Sequence, residues 1–110
     1  MTDPIKDPAA CATMGDVRAG IDALDREIVA LLARRQAYVA AAARVKGSRE
    51  LVRDEARIAD VVAKVSAEAA KAGIDPALVG AIYHDMIERF IAFEHDAVDA
   101  LSVRNPPPAS

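Results

Sequence analysis

The feature that most constrains the fold of this sequence is a long heptad pattern of apolar residues. Between residues 17 and 45, apolar positions recur at alternating spacings of four and three residues. This spacing is typical of a helix with one continuous buried stripe. We expect the helix to be capped by Asp16 and to end near Lys46, because Gly47 breaks the pattern. The stripe positions are Val17, Ile21, Leu24, Ile28, Leu31, Arg35, Tyr38, Ala42 and Val45.

Two further helices are expected in the rest of the chain. The second covers roughly Val52 to Lys71, and Gly73 fits its C-terminal stop. The third is capped by Asp75, with Pro76 at the first helical position. No segment alternates with period two, so the predicted fold class is all-α with three helices per chain. The inward positions are Ile58, Val61, Val62 and Val65 on the second helix, and Val79, Tyr83, Met86, Ile87, Phe90, Glu94, Ala97 and Leu101 on the third.

The length of the first helix predicts an intertwined homodimer. A helix of about 30 residues is roughly 45 Å long, whereas a compact domain of this size has a radius of gyration of about 13 Å. One chain therefore cannot cover the whole stripe, and we expect a second copy to do so. A helical dimerisation module without chemistry would show the same pattern, and it stays open as an alternative.

The chain ends differ from the helical region between them. Proline and small polar residues offer little apolar surface to bury. We therefore interpret residues 1–15 as a flexible N-terminal segment, residues 16–103 as the helical domain and residues 104–110 as a disordered tail.

The distribution of charge favours a small anion as ligand. The net charge is -3, with acidic and basic residues interspersed, which argues against nucleic acid as a partner. Residues 34–57, however, contain seven basic and three acidic side chains. A compact basic cluster on an acidic protein suits a small anionic molecule better than a polymer.

Several features argue against other kinds of site and compartment. The single Cys11 cannot form an internal disulfide, which is typical of a reducing compartment. No apolar run is long enough for a signal peptide or a membrane span, so we expect a cytoplasmic protein without a membrane partner.

His84 and His95 are eleven residues apart, too far to share one ion on a helix. No metal or other cofactor is expected.

Charged residues interrupt the apolar stripes. A buried guanidinium at Arg35 costs several kcal/mol unless it meets a carboxylate or an anionic ligand. Lys46 lies eleven residues later, about three turns, so the two cations share a face roughly 16 Å apart. They could hold a small molecule with two anionic ends, and Arg18 could join them only from an antiparallel partner. The alternative is structural: Glu94 on the third helix could form a salt bridge with Arg35 or Lys46.

Two segments resemble a known family. The stretches "VRAGIDALDREIVALLARRQAYVAAAARVK" (17–46) and "VRDEARI" (52–58) resemble the all-helical chorismate mutase family, whose members are intertwined dimers with three helices per chain. Arg18, Arg35 and Lys46 stand at the family's spacings of 17 and 11 residues. The stretch "CATMGDVRAGID" (11–22) is most similar to the branch that contains the isochorismate pyruvate lyases.

The resemblance implies a pocket for chorismate or isochorismate, each a dicarboxylate with an enolpyruvyl ether. Family members hold the carboxylates with the residue matching Arg35 and with Arg18 of the partner subunit. The residues matching Lys46 and Glu94 contact the ether oxygen. The implied catalytic positions are Arg35, Lys46 and Glu94, and the implied substrate-binding positions are Arg18, Asp54, Arg57, Ile58 and Phe90.

The implied reaction is the rearrangement of chorismate to prephenate, a pericyclic step that needs no nucleophile, metal or cofactor. Positive charge at Lys46 would stabilise the oxygen of the breaking bond, and Glu94 would act in its protonated form. Ile58 and Phe90 depart from the usual mutase residues and resemble the lyase branch, whereas Asp54 resembles the mutases. We therefore predict a chorismate mutase, with an isochorismate pyruvate lyase that makes salicylate and pyruvate as the alternative.

Overall fold

The computed structural model describes residues 5–104, except for the side chains of residues 102 and 104. Three α-helices follow one another, and no strand occurs in this range: α1 (Met14–Lys46), α2 (Glu55–Ala72) and α3 (Pro76–Arg104). Short 3-10 helices span Pro8–Ala10 and Arg49–Leu51. The all-α prediction with three helices is confirmed. Residues 1–4 of the predicted flexible segment and residues 105–110 of the predicted tail lie outside the described residues.

Helix α1 begins at Met14, so the prediction that Asp16 is its N-cap was wrong. Thr13 takes that position, and its Oγ1 accepts a hydrogen bond from the Asp16 backbone N–H at 3.1 Å. Asp16 Oδ2 accepts in return from the backbone N–H groups of Ala12 and Thr13, at 3.0 and 3.3 Å. This reciprocal capping box satisfies N–H groups that the first helical turn leaves unpaired. The Ala12 N–H, followed by the Lys6 ammonium, lowers the pKa of the Asp16 carboxyl.

Helix α2 begins at Glu55, three residues after the predicted start at Val52. Asp54 is its N-cap, and Asp54 Oδ1 accepts from the Arg57 backbone N–H at 3.0 Å. The cap fixes the start of the helix, and Val52 packs into the core from the preceding loop instead.

The remaining predicted helix ends agree with the structure. Gly73 ends α2 with a φ of 78°, a left-handed conformation that glycine adopts without steric cost. Asp75 Oδ1 accepts from the Ala77 backbone N–H at 2.9 Å, which caps α3, and Pro76 is the first residue of that helix. Both predicted signals are therefore confirmed.

The chain divides into two compact units, Met1–Ala37 and Tyr38–Ser110, and α1 contributes to both. Every buried apolar residue of the described chain lies in the C-terminal unit, where α2 packs against α3. Ala43, Val52 and Val98 form a cluster there, and Ile91 packs against it. The predicted inward positions on α2 and α3 are all buried or half-buried, as expected. The buried apolar residues are Ala43, Val52, Ala69, Ile87 and Val98.

The N-terminal unit consists of α1 up to Ala37 and the segment before it. The Ile5 side chain lies near Gly20, and a Cβ added at that glycine would stand 3.8 Å from Ile5 Cγ2. The apolar stripe of α1 is largely uncovered within this chain. Its members with more than half of their surface exposed are Ile21, Leu24, Ile28 and Leu31, and Tyr38 and Val45 continue the same exposed stripe in the C-terminal unit.

Among the described residues, no helix combines the length and apolar character that crossing a bilayer requires.

Candidate active site

The candidate site is centred on an ion pair between Lys46, the last residue of α1, and Glu94 of α3. Lys46 Nζ lies 3.3 Å from Glu94 Oε1 and 3.2 Å from Oε2. Glu94 is only 5% exposed and is the one buried polar or charged residue in the described part of the chain. The sequence left open a structural salt bridge of Glu94 with Arg35 or Lys46, and the structure shows the pair with Lys46.

A third contact completes the surroundings of the ammonium group. Lys46 Nζ also donates to the backbone carbonyl oxygen of Val52, at 3.2 Å. A lysine ammonium has three N–H donors, and three oxygen atoms surround this one. The ammonium is therefore held at a defined position instead of moving freely in solvent.

Local sequence explains why Lys46 is placed there. Gly47 follows it with a φ of 68°, so the chain leaves the helix at once, and the Gly47 N–H still bonds the Ala43 carbonyl at 2.9 Å. A cation in the last turn is also favourable beside the carbonyl end of a helix. On α3, Glu94 lies between the buried residues Ile87 and Val98, which fixes its helical face toward the core.

Residues 47–54 connect α1 to α2 and form the α1–α2 loop. Two arginines of this loop bind it to α3. Arg49 forms an ion pair with Asp99 of α3 at 2.5 Å. Arg53 pairs with Glu88 of α3 at 2.5 Å and with Glu55 at 3.0 Å.

These ion pairs shift the arginine pKa values upward. Asp99 raises the pKa of the Arg49 guanidinium, and Glu88 followed by Glu55 raises that of Arg53. Both arginines are therefore positively charged at neutral pH.

The predicted substrate-binding residues of α2 are engaged at the start of that helix. The Asp54 carboxylate caps α2 through the Arg57 backbone N–H. The Arg57 guanidinium donates to Asp60 Oδ2 at 2.6 Å and is largely exposed. The pKa of Asp60 is lowered by Lys64 first and by Arg57 next. Arg57 thus forms an ion pair with Asp60, which the sequence pattern did not predict.

The two predicted apolar lining residues are half-buried. Ile58 lies in the first turn of α2, and Phe90 lies one turn before Glu94 on α3. The Phe90 ring meets that of Phe93 edge to face, with 6.4 Å between the ring centroids.

Arg18 and Arg35 belong to the N-terminal unit, both on α1. Arg18 is exposed, whereas Arg35 is half-buried.

Three partners of the site were missed by the sequence analysis. The Val52 carbonyl carries no residue-type signal, because any residue supplies the same backbone atom. Glu88 and Asp99 resemble ordinary surface carboxylates in the sequence, and only the packing of the α1–α2 loop against α3 brings them to Arg53 and Arg49.

The arrangement combines a fixed cation, a buried carboxyl group and half-buried apolar side chains. Within residues 5–104, no three His, Cys, Asp or Glu side chains are arranged to hold a metal ion.

Comparison with known proteins defines the family. The sequence profile described as "Chorismate mutase type II" matches residues 17–95, which include every predicted site residue. The isochorismate pyruvate lyase of Pseudomonas aeruginosa is 33% identical over 88 residues, which cover 80% of this chain and 87% of that protein. The chain therefore belongs to the type II chorismate mutase family.

Proposed function

We propose that this protein is a chorismate mutase that converts chorismate to prephenate. The observation that carries the proposal is the Lys46 ammonium, held by Glu94 and by the Val52 carbonyl in a member of this family. In the reaction, the ether C–O bond breaks as a new C–C bond forms, and negative charge develops on the ether oxygen. An ammonium held beside that oxygen can stabilise the negative charge that develops on it in the transition state.

Glu94 acts in this proposal as a hydrogen-bond donor. An ionised carboxylate would repel the developing negative charge, whereas a protonated Glu94 can donate its O–H to the ether oxygen. Protonation also weakens the hold of Glu94 on Lys46, because a neutral carboxyl is a poorer acceptor than a carboxylate. The ammonium can then turn one N–H toward the substrate while it keeps its bond to Val52.

The carboxylates of the substrate are assigned to the two α1 arginines. Arg35 holds one of them, and Arg18 of the partner subunit holds the other. This assignment of Arg18 requires a homodimer. The apolar stripe of α1 supports one, because four of its members in the N-terminal unit are each more than half exposed. Asp54, Arg57, Ile58 and Phe90 are proposed to line the pocket around the ring.

Isochorismate pyruvate lyase activity is the second candidate. The aliphatic Ile58 and the aromatic Phe90 resemble residues of that branch, and the curated relative from Pseudomonas aeruginosa carries that name. In this reaction the same ether bond breaks while a ring hydrogen passes to the methylene carbon of the side chain. The products are salicylate and pyruvate, and the same cationic pocket serves the same oxygen.

The deciding experiment supplies chorismate and isochorismate separately to the purified protein. Prephenate formation from chorismate supports the first candidate, and salicylate with pyruvate from isochorismate supports the second. Arg35→Ala and Lys46→Met should each lower kcat/KM by about 100-fold or more, as expected when a preorganised charge is removed. Lys64→Met on the surface of α2 is the matched control and should retain activity.

The result that would contradict the proposal is absence of all these products from a correctly folded protein. Full activity in Arg35→Ala would equally contradict the assigned role of that residue. A protein that dimerises normally but turns over neither compound would instead match the helical dimerisation module.

A further inference from the structure

The α1–α2 loop is fixed to α3 at both of its ends. Near its start, Arg49 binds Asp99, and at its end Arg53 binds Glu88. Glu88 and Asp99 are eleven residues apart on α3, which is about three turns, so both lie on one side of the helix roughly 16 Å apart along its axis. The two arginines therefore hold the loop along α3 and not merely at a single point.

Val52 connects this loop to the ammonium group. Its side chain is buried in the cluster with Ala43 and Val98, and its carbonyl oxygen accepts from Lys46 Nζ at 3.2 Å. Its own N–H bonds the Arg49 carbonyl at 3.2 Å and so caps the C-terminal end of the short 3-10 helix. Any shift of the loop along α3 would therefore move an oxygen that bonds Lys46.

We propose that Arg49 and Arg53 are positioning residues: by clamping the α1–α2 loop to Asp99 and Glu88, they hold the Val52 carbonyl where it orients the Lys46 ammonium for reaction. The inference rests on the proposed function, since Lys46 is the group that serves the ether oxygen. Neither arginine touches the substrate in this scheme, and each acts through Val52.

The exposure of the two pairs indicates how they act. Their side chains are about half exposed, and exposed ion pairs contribute little to global stability. The buried Val52 side chain already anchors the middle of the loop. The arginines therefore restrict the orientation of the loop without being required for folding, and screening by salt should weaken that restriction.

The test compares Arg49→Gln, Arg53→Gln and the double variant with the wild-type protein. The matched control is Arg89→Gln, which removes an ion pair with Asp85 at 2.8 Å on the same helix α3 but outside the loop. With the substrate that the wild type converts, the double variant should lose about 10-fold or more in kcat while KM changes less than threefold. An interaction needed chiefly in the transition state produces that difference. Arg89→Gln should behave as the wild type, and the double variant Arg49→Lys/Arg53→Lys should recover most of kcat because it restores both charges.

A second measurement does not depend on turnover. Amide hydrogen exchange in residues 49–54 should be faster in the double Gln variant, and Lys46 should be acylated faster by an amine reagent. Lys64 and Lys71, exposed on α2, are internal references for the acylation rate. Arg89→Gln should leave both rates unchanged.

Each outcome decides the proposal. Unchanged exchange and unchanged Lys46 acylation would overturn it, because the arginines would then not hold the loop. Faster exchange with an unchanged kcat would overturn the positioning role. If the wild type converts neither substrate, the proposed function fails, and exchange and acylation still show whether the clamp holds the ammonium.

Discussion

The two units of this chain satisfy their apolar side chains in different ways. The C-terminal unit buries Val52, Ile87 and Val98 with residues of its own helices, and its buried Glu94 has a countercharge at Lys46. The N-terminal unit presents an apolar stripe on α1 whose members, such as Leu24 and Ile28, remain more than half exposed. A contiguous exposed stripe of this kind is typical of an interaction surface, whereas single exposed apolar residues are not. We therefore propose that the stripe, which begins in the N-terminal unit, is an assembly surface, whereas the C-terminal unit holds the buried ion pair.

The largest expected effect is the loss of the proposed homodimer when a charge is placed on the stripe. At the proposed interface, Ile28→Glu would bury a carboxylate in each subunit, which costs at least several kcal/mol without a partner. We expect a monomer with reduced helix content, measured by sedimentation equilibrium and circular dichroism.

Val29→Glu is the matched control for this change. Val29 is also exposed and lies on the same helix, but it is one position off the stripe. It should remain a dimer. If both variants have the mass of the wild type, the stripe is not the interface.

The next effect concerns the charged centre of the C-terminal unit. Lys46→Met leaves the Glu94 carboxylate buried without its countercharge, which should lower the free energy of unfolding by about 1–3 kcal/mol. Adding Glu94→Leu to this variant should recover stability, because an apolar pair of similar size has no uncompensated charge. Urea denaturation measures both. Lys64→Met is the control, because it loses only an exposed ion pair with Asp60. Equal stability of the two variants would show that Lys46 does not compensate a buried charge.

The proposed role of Glu94 as a hydrogen-bond donor can be tested by substitution. Glu94→Gln keeps an N–H donor at the same position, whereas Glu94→Leu has none. We therefore expect Glu94→Gln to retain most of kcat and Glu94→Leu to lose about 100-fold. Equal kcat values in the two variants would show that a donor at this position is not needed.

The sequence predicted the structure best where a residue type has one local structural role. Gly73 and Asp75 marked helix ends correctly because a left-handed residue and a cap depend only on adjacent backbone. Asp16 was assigned the wrong position because Thr13 and Asp16 are both good cap residues, and a capping box uses the two together. Val52 fitted the helical pattern, but its burial belongs to the loop.

At the candidate site, too, features set by residue type could be predicted, and features set by the path of the loop could not. A pairing of Glu94 with a cation of α1 could be predicted, since a buried carboxylate needs a countercharge, but the sequence left Arg35 and Lys46 both open. The Val52 carbonyl could not, because its role depends on the path of the loop. The partners of Arg49 and Arg53 could not either, since many exposed carboxylates were equally available before the loop packed against α3.

The smallest expected effect returns to the N-terminal unit and its capping box. The pKa of Asp16 lies below the ordinary value of 3.8 because the Ala12 N–H and the Lys6 ammonium favour the carboxylate. Its contribution to the start of α1 is therefore fully present above the unfolded-state pKa and is lost as the pH falls through the lowered value. The amide resonances of Ala12 and Thr13 should report this titration below pH 3.8.

Asp16→Asn separates this titration from general acid unfolding. The variant should show no such step in the Ala12 and Thr13 resonances, whereas Asp22→Asn, on the same helix beyond the cap, should keep it. A midpoint at or above 3.8 in the wild type would mean that the carboxylate does not hold these two N–H groups in solution. Because the titration is confined to the first turn, the unfolding of the C-terminal unit should not follow it. That separation would distinguish the two units by a measurement independent of dimerisation.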